Sequence, residues 1–266
     1  MMDSCIERRT TMGNFGSKHL LGLAWLLPSI AILLVVLLVL RKKKGYGESF
    51  DRKVILGASI FIWVWEIIKT IFIFNSPAYG SVGVYTAYML PFHICSMALY
   101  AYPVIAGRHH KLAEFVKPFA FAVTLLVTAI LLVVPDFAGI LGNLPNWSFV
   151  YDNILPFQSF SYHGTLLFVP LYMVLSGFYR PRLRDIGKAT VVFVATAIFA
   201  ITMNKLFLGV TDFMTLEHGW GNPFNYLIAD RYWLYFLILA GISVGGSALT
   251  LGIAELIWKL SHRPAK

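Results

Sequence analysis

Apolar residues along this chain run in blocks of about twenty, separated by short polar segments. The blocks fall at 20–40, 54–75, 84–107, 112–134, 157–178, 189–210 and 232–258. At about 1.5 Å of rise per residue, a helix of that length crosses a hydrocarbon core of roughly 30 Å. In lipid the backbone must bond within its own segment, so such runs form helices. The pattern predicts an all-α, polytopic transmembrane helix bundle of seven spans. Residues 1–19 read as a polar tail, 20–258 as the transmembrane domain and 259–266 as a short basic tail. The first block ends in Arg41 and three lysines without a cleavage signal, the pattern of a signal anchor that stays.

Charge sorts the connecting segments into two sets. Arg41 to Lys44 with Arg52 and Lys53, Arg108 with Lys111, Arg180, Arg182 and Arg184 with Lys188, and Lys259 with Arg263 alternate with segments that hold no Lys or Arg. Those segments, 76–83, 135–156 and 211–230, carry Asp136, Asp152, Asp212 and Glu217 instead. Positive charge stays on the cytoplasmic side, so the N-terminus is expected outside and the C-terminus in the cytoplasm of a multi-pass cell-membrane protein. Arg8, Arg9 and Lys18 oppose this orientation and are outnumbered by the six basic residues after the first span.

Composition agrees, with 58% hydrophobic and 13% charged residues where soluble domains carry about a quarter charged. The net charge of +9 lies at the ends of apolar blocks, where it sets topology rather than forming a nucleic-acid face. Cys5 and Cys95 lie in different settings, and no Cys/His spacing implies a metal. The outer segments 135–156 and 211–230 are rich in aromatic residues and read as caps at the membrane interface. Gly241, Gly245, Ala248 and Gly252 form a small-residue stripe expected to pack against a neighbouring helix.

Ionisable groups inside spans are costly and usually face the bundle interior. They are Glu66 and Lys69 in the second span, His93 and Cys95 in the third, His163 in the fifth, and Lys205 beside Asn204 in the sixth. Lys117 and Glu255 sit near the cytoplasmic surface, where they are expected to snorkel as solvated ends. Counting residues places His93 about 14 Å and His163 about 9 Å below the outer surface, with Glu66, Lys69 and Asn204 roughly 20–25 Å from the inner one. Four spans thus deliver polar groups to one slab. Each has a structural alternative: Glu66 and Lys69 are an i,i+3 ion pair, Asn204 can bond a neighbouring helix, His163 can be a satisfied core histidine, and Cys95 a small hydrophobe. His93 shares a partly polar helix face with Thr86, Met89, Leu90, Ser96, Met97 and Tyr100, and Pro91 frees a carbonyl one turn back. On a straight helix His93 and Cys95 point about 200° apart, which leaves two arrangements: Cys95 as nucleophile with His163 of another helix as its base, or His93 lining the site with the nucleophile elsewhere and the two histidines acting together.

Three runs, LPFHIC, SFSYHGTLLFVPLY and MNKLFLGVTDFM with NPFNYLI and YWLYF after it, resemble the YwaF-like bacterial integral membrane proteins. The similarity extends in order from about residue 55 to 245. That family is related to vertebrate transmembrane protein 164, a lipid acyltransferase with a cysteine–histidine pair and an acyl-enzyme intermediate. The resemblance implies membrane phospholipids as substrate and acyl donor, and no soluble cofactor. In the vertebrate motif the cysteine directly precedes the histidine that His93 resembles. Here Phe92 stands in that place and Cys95 lies beyond it, and the NYM-like segment of relatives reads Asp212-Phe213-Met214.

The leading expectation is an intramembrane lipid acyltransferase or lipid hydrolase with its site in the outer half of the bundle. His93, His163, Cys95 and Asn204 are the candidate catalytic residues, and Glu66, Lys69 and Tyr100 the candidate substrate-binding groups. The alternative is a proton-coupled transporter or membrane binding protein working through Glu66, Lys69 and the histidines. The chain lacks the inverted repeat that many transporters show. A seven-span receptor or scaffold rests on span count alone.

Overall fold

The structure is a computed structural model and describes residues 17–75, 90–107, 110–133, 154–207, 211–216, 224 and 226–261. Among these residues it contains helices and no strands. Helix α1 (Ser17–Lys43) turns at Gly45 into α2 (Glu48–Asn75). A 3-10 turn at Cys95–Met97 leads into the short α3 (Ala98–Ala106), followed by α4 (His110–Val133) and α5 (Leu155–Leu175). A second 3-10 turn, Leu183–Asp185, opens α6 (Ile186–Leu206), a third lies at Phe213–Thr215, and α7 (Leu227–Ser261) closes the bundle.

Five stretches are long and apolar enough to span a membrane: Gly22–Lys43, Glu48–Asn75, His110–Ala129, Leu183–Leu206 and Leu227–Ser261. The other two expected spans differ in kind. Of the described part of the third, Cys95–Ala106 is helical and residues 90–94 are irregular, while 84–89 lie outside the described residues. Helix α5 has the length, but its first turns are polar (Gln158, Ser159, Ser161, His163) and buried. In α7 the backbone breaks at Arg231 (φ −142°, ψ 49°), so its regular part begins at Tyr232 as the sequence predicts.

Helices α4 and α5 form the centre. α4 packs on α3, α5, α6 and α7, while α5 packs on α1, α2 and α4. Within the apolar stretch of α4, 61% of residues are buried, against 22% or less in the other four stretches. Those outer helices present Ile32, Val35, Ile60, Ile71, Ile198 and Leu249 outward, each more than half exposed. Soluble proteins rarely expose apolar patches of this extent, and a bilayer removes their cost. The chain is a multi-pass integral membrane protein.

Glycines set two close helix contacts. A Cβ on Gly22 of α1 would lie 2.7 Å from the ring of Phe160 on α5, and one on Gly246 of α7 would collide with Leu126 of α4. The stripe expected to pack does not do so among the described residues. Gly241 and Gly245 meet nothing within 4 Å, and Gly252 only touches Leu183. Gly246, one position off that stripe, makes the contact because α7 is rotated toward α4. Gly22→Val is expected to cost about 1–3 kcal/mol by overpacking the α1–α5 contact. An unchanged thermal melt in detergent would remove that assignment.

The basic end of the bundle is tied by buried polar contacts. Asp51, fully buried, accepts from Arg41 Nε (2.7 Å) and Nη2 (2.9 Å) and from Tyr172 Oη (2.8 Å). Arg52 donates to the carbonyls of Ile105 (3.2 Å) and Gly107. Lys117 is not the solvated end expected of it: it is 2% exposed. Its ammonium is held by Glu114, by the Phe178 carbonyl (3.1 Å) and over the Phe178 ring (3.7 Å). Glu255 instead accepts from the Leu183 N–H (2.7 Å) and pairs with Lys259 (2.7 Å).

Candidate functional site

Helical spacing places Ser159 one turn before His163 on α5, on the same face. The His163 ring follows from that placement: Nδ1 lies 2.8 Å from the Ser159 carbonyl oxygen and 3.3 Å from its Oγ. A carbonyl only accepts, so Nδ1 carries the proton and the neutral ring presents its lone pair on Nε2. His163 is 8% exposed, and Nε2 is buried with no hydrogen-bond partner among the described residues. Its neighbour Tyr162 reaches across to the Cys95 carbonyl at 3.5 Å, which seats α5 against the turn that carries the cysteine.

That turn departs from a straight helix. Pro91 cannot donate to a ladder and disfavours helical geometry at Leu90. The Phe92 N–H bonds back to the Leu90 carbonyl (2.8 Å), and helical bonding resumes only with Ser96 N–H to His93 C=O (2.9 Å). The straight-helix angle between His93 and Cys95 therefore does not apply. The two side chains still part company, for a different reason. Cys95 packs against the main core shared by α2, α3 and α5, whereas the His93 ring stands edge-on to Phe213, 5.3 Å between centroids, beside α6.

Phe213 owes its position to Asn204. The Asn204 side chain accepts from the Phe213 N–H (2.8 Å) and the Thr211 hydroxyl (3.0 Å), and donates to the Phe213 carbonyl (3.2 Å). One amide thus holds both backbone groups of Phe213. The clamp supports a strained neighbour: Met214 adopts φ +56°, a left-handed conformation unusual for a residue with a Cβ. Phe92 also meets Phe213 edge-to-face, at 5.2 Å between centroids, and Phe199 likewise, at 5.1 Å. Asn204→Ala is expected to cost roughly 1–3 kcal/mol, the penalty for buried groups left unpaired. Hydrogen exchange should accelerate at residues 211–216. Unchanged exchange there would show that the clamp does not hold the loop.

Glu66 and Lys69 pair on α2 at 2.6 Å, both largely buried. Their charges lie within electrostatic range of Cys95, and that of Lys69 also acts on His163. Tyr100, 40% exposed, stands edge-on to Trp63 at 6.0 Å and lies within range of Glu66. Lys205 is exposed at the end of α6.

Two groups result. Cys95, His163, Glu66, Lys69 and Tyr100 gather where α2, α5 and the Cys95–Met97 turn meet. His93 and Asn204 are joined through Phe213 beside α6. Thr86 and Met89, expected on the His93 face, lie outside the described residues. Sequence reasoning missed Ser159, Tyr162 and Phe213. The i,i+4 spacing of Ser159 and His163 was a usable signal for the first, while an apolar residue in a loop gave none for Phe213. Among the described residues no three His, Cys, Asp or Glu side chains come together as metal ligands.

No curated protein and no solved structure matches the chain significantly. The model of the TMEM164 family matches residues 14–249, which include α2 to α6, the Cys95 turn and most of α7. The match covers nearly the whole bundle, and the chain belongs to the TMEM164 family.

Proposed function

We propose that this protein is an intramembrane lipid acyltransferase or lipid hydrolase whose base is His163. The carrying observation is the His163 ring: Nδ1 is fixed by Ser159, and the buried Nε2 meets no protein partner among the described residues. A lone pair kept in an apolar interior is suited to taking a proton from a nucleophile. Cys95 is the nucleophile on the facing turn.

In the acylation step Nε2 takes the Cys95 thiol proton, and the sulfur attacks the ester carbonyl of a membrane phospholipid. The carbonyl–oxygen bond breaks, and the leaving lysolipid oxygen takes the proton back from the imidazolium. A hydroxyl of an acceptor lipid, or water in the hydrolase case, then gives its proton to Nε2 and attacks the thioester. The thiolate leaves and is reprotonated. His93 and Asn204, joined through Phe213, would complete the site from the side of α6, with Asn204 holding Phe213 in place. Glu66, Lys69 and Tyr100 orient the headgroup.

Under this reading the bundle crosses the cell membrane seven times, with the N-terminus outside and the site in the outer half. The order of charged segments supports that orientation. Labelling of Cys5 by a membrane-impermeant thiol reagent in intact cells is its expected consequence, and protection of Cys5 would reverse it. The activity itself is tested by lipidomics of cells expressing wild type, His93→Ala and His163→Ala. Acyl-chain redistribution that is present in wild type and absent from the His163 variant is expected. Identical lipid profiles in all three would end the proposal.

A further inference from the structure

A second polar cavity lies at the basic end of the bundle, where α5 passes into α6. It has a volume of about 460 Å³ and is lined by Phe178, Tyr179, Arg180, Arg182, Arg184 and Lys188. That volume falls in the range of ligand pockets. Glu114 and Asp185 also face it, but each has its own lysine: Lys117 holds Glu114, and Lys188 lies 2.8 Å from Asp185. Arg180, Arg182 and Arg184 form no ion pair among the described residues. Three guanidinium groups thus converge on one space whose two carboxylates are each held by a lysine.

Tyr179 supplies an independent observation. Tyr179 is among the residues lining the cavity, it is 5% exposed with its ring against Phe121, and its hydroxyl is buried without a partner among the described residues. An unpaired buried hydroxyl is costly unless something accepts from it. Burial, and then Asp185 and Glu114, push the phenol pKa upward, so the hydroxyl stays protonated as a donor. The first turn of α6 also opens here, after Asp185, whose side chain makes no cap bond. The helix dipole adds to the attraction for an anion.

We infer that this cavity is a binding site for the phosphate group of an anionic phospholipid in the adjoining leaflet. Arginine forks match the geometry of phosphate oxygens, and the Tyr179 hydroxyl donates to a further oxygen. The lipid source is favoured over a soluble phosphate compound by the surroundings. Leu183, in the turn beside the cavity, is 47% exposed and lies against α7, where Leu256 and Ile257 are also exposed. These apolar side chains offer a track for acyl chains next to the headgroup. The site is separate from the Cys95–His163 region, and its occupancy does not depend on acyl transfer.

The test is native mass spectrometry of the full chain released from vesicles of phosphatidylcholine containing phosphatidic acid. Retention of phosphatidic acid over phosphatidylcholine is expected. The triple variant R180Q/R182Q/R184Q should weaken it roughly tenfold or more, from the loss of charge-assisted bonds. Tyr179→Phe should weaken it by a few-fold, as expected for one hydrogen bond. K42Q/K43Q/K44Q removes the same charge from the turn after α1 and should leave binding intact. Equal losses in the two triple variants, or none in the arginine variant, would overturn the site. Competition by inorganic phosphate or glycerol phosphate at concentrations matching the lipid would overturn the lipid assignment. Where the triple arginine variant does not melt cooperatively, Arg182→Gln and Tyr179→Phe carry the same test.

Discussion

Replacing His163 by alanine is expected to lower acyl transfer by roughly 10²–10⁴-fold, the range that a positioned general base contributes. The protein should stay folded, because the Nδ1 bond to Ser159 lies within a single helix turn. Loss of an intrahelical bond does not release a tertiary contact. Cys95→Ala should cause a loss of similar size, and the double variant should be no worse than either single one. Residues that act in one chemical step are non-additive in this way. The measurement is release or transfer of a labelled acyl chain by purified protein in defined vesicles, with a parallel thermal melt. Full activity of Cys95→Ala beside an inactive His163→Ala would move the nucleophile to a hydroxyl. Full activity of both would remove this region from the chemistry.

The largest effect on stability is expected at Asp51. Asp51→Ala should cost about 3–5 kcal/mol, the penalty for breaking a buried pair and leaving its partners uncompensated. It deprives Arg41 of both oxygens that its guanidinium grips and leaves the Tyr172 hydroxyl unbonded in the core. These contacts tie the end of α1 and the start of α2 to the central α5, so three helices lose one common anchor. Asp51→Asn keeps an acceptor for Tyr172 and should recover part of the loss. A melting temperature for Asp51→Ala within experimental scatter of wild type would show that the network is not needed.

Much of the fold was legible in the sequence because hydrocarbon admits few solutions. A run of twenty apolar residues must become a helix, and α1, α2, α4, α6 and the regular part of α7 fall within the predicted blocks. The third block was read as one straight helix, since hydropathy does not register the backbone. Pro91 was visible, yet the irregular path through residues 90–94 depends on what those residues pack against. Lys117 shows the opposite failure. Its position near a span end suggested solvent, but Phe178 folds over it and Glu114 pairs with it, so the charge is accommodated inside. The misread glycine stripe has a similar origin: spacing identifies a face, and only the neighbour decides which face is used.

The candidate residues divide along the same line. Ionisable side chains in apolar runs could be named from the sequence, because lipid leaves charge there no cheap alternative. Their grouping could not. His93 and Cys95 are two residues apart and pack against different neighbours, while Tyr162, distant in the chain and next to His163, reaches the Cys95 carbonyl. Asn204 reads from the sequence as a catalytic candidate or a bond to a neighbouring helix, and in the structure it clamps a loop whose turn no periodicity marks.

By itself the sequence determined the solvent of this protein, its helical class, the charged ends of its spans and the short roster of polar groups buried among them. Those properties follow from local composition, because each helix in a bilayer satisfies its own backbone and can be read one at a time. Tertiary structure alone decided that α4 and α5 form the centre, that Asp51 binds Arg41 and Tyr172, and that Tyr162, next to His163, reaches the Cys95 turn while His93 packs on Phe213. Such pairings depend on helix rotation and close packing between segments far apart in the chain, and no local pattern encodes a rotation.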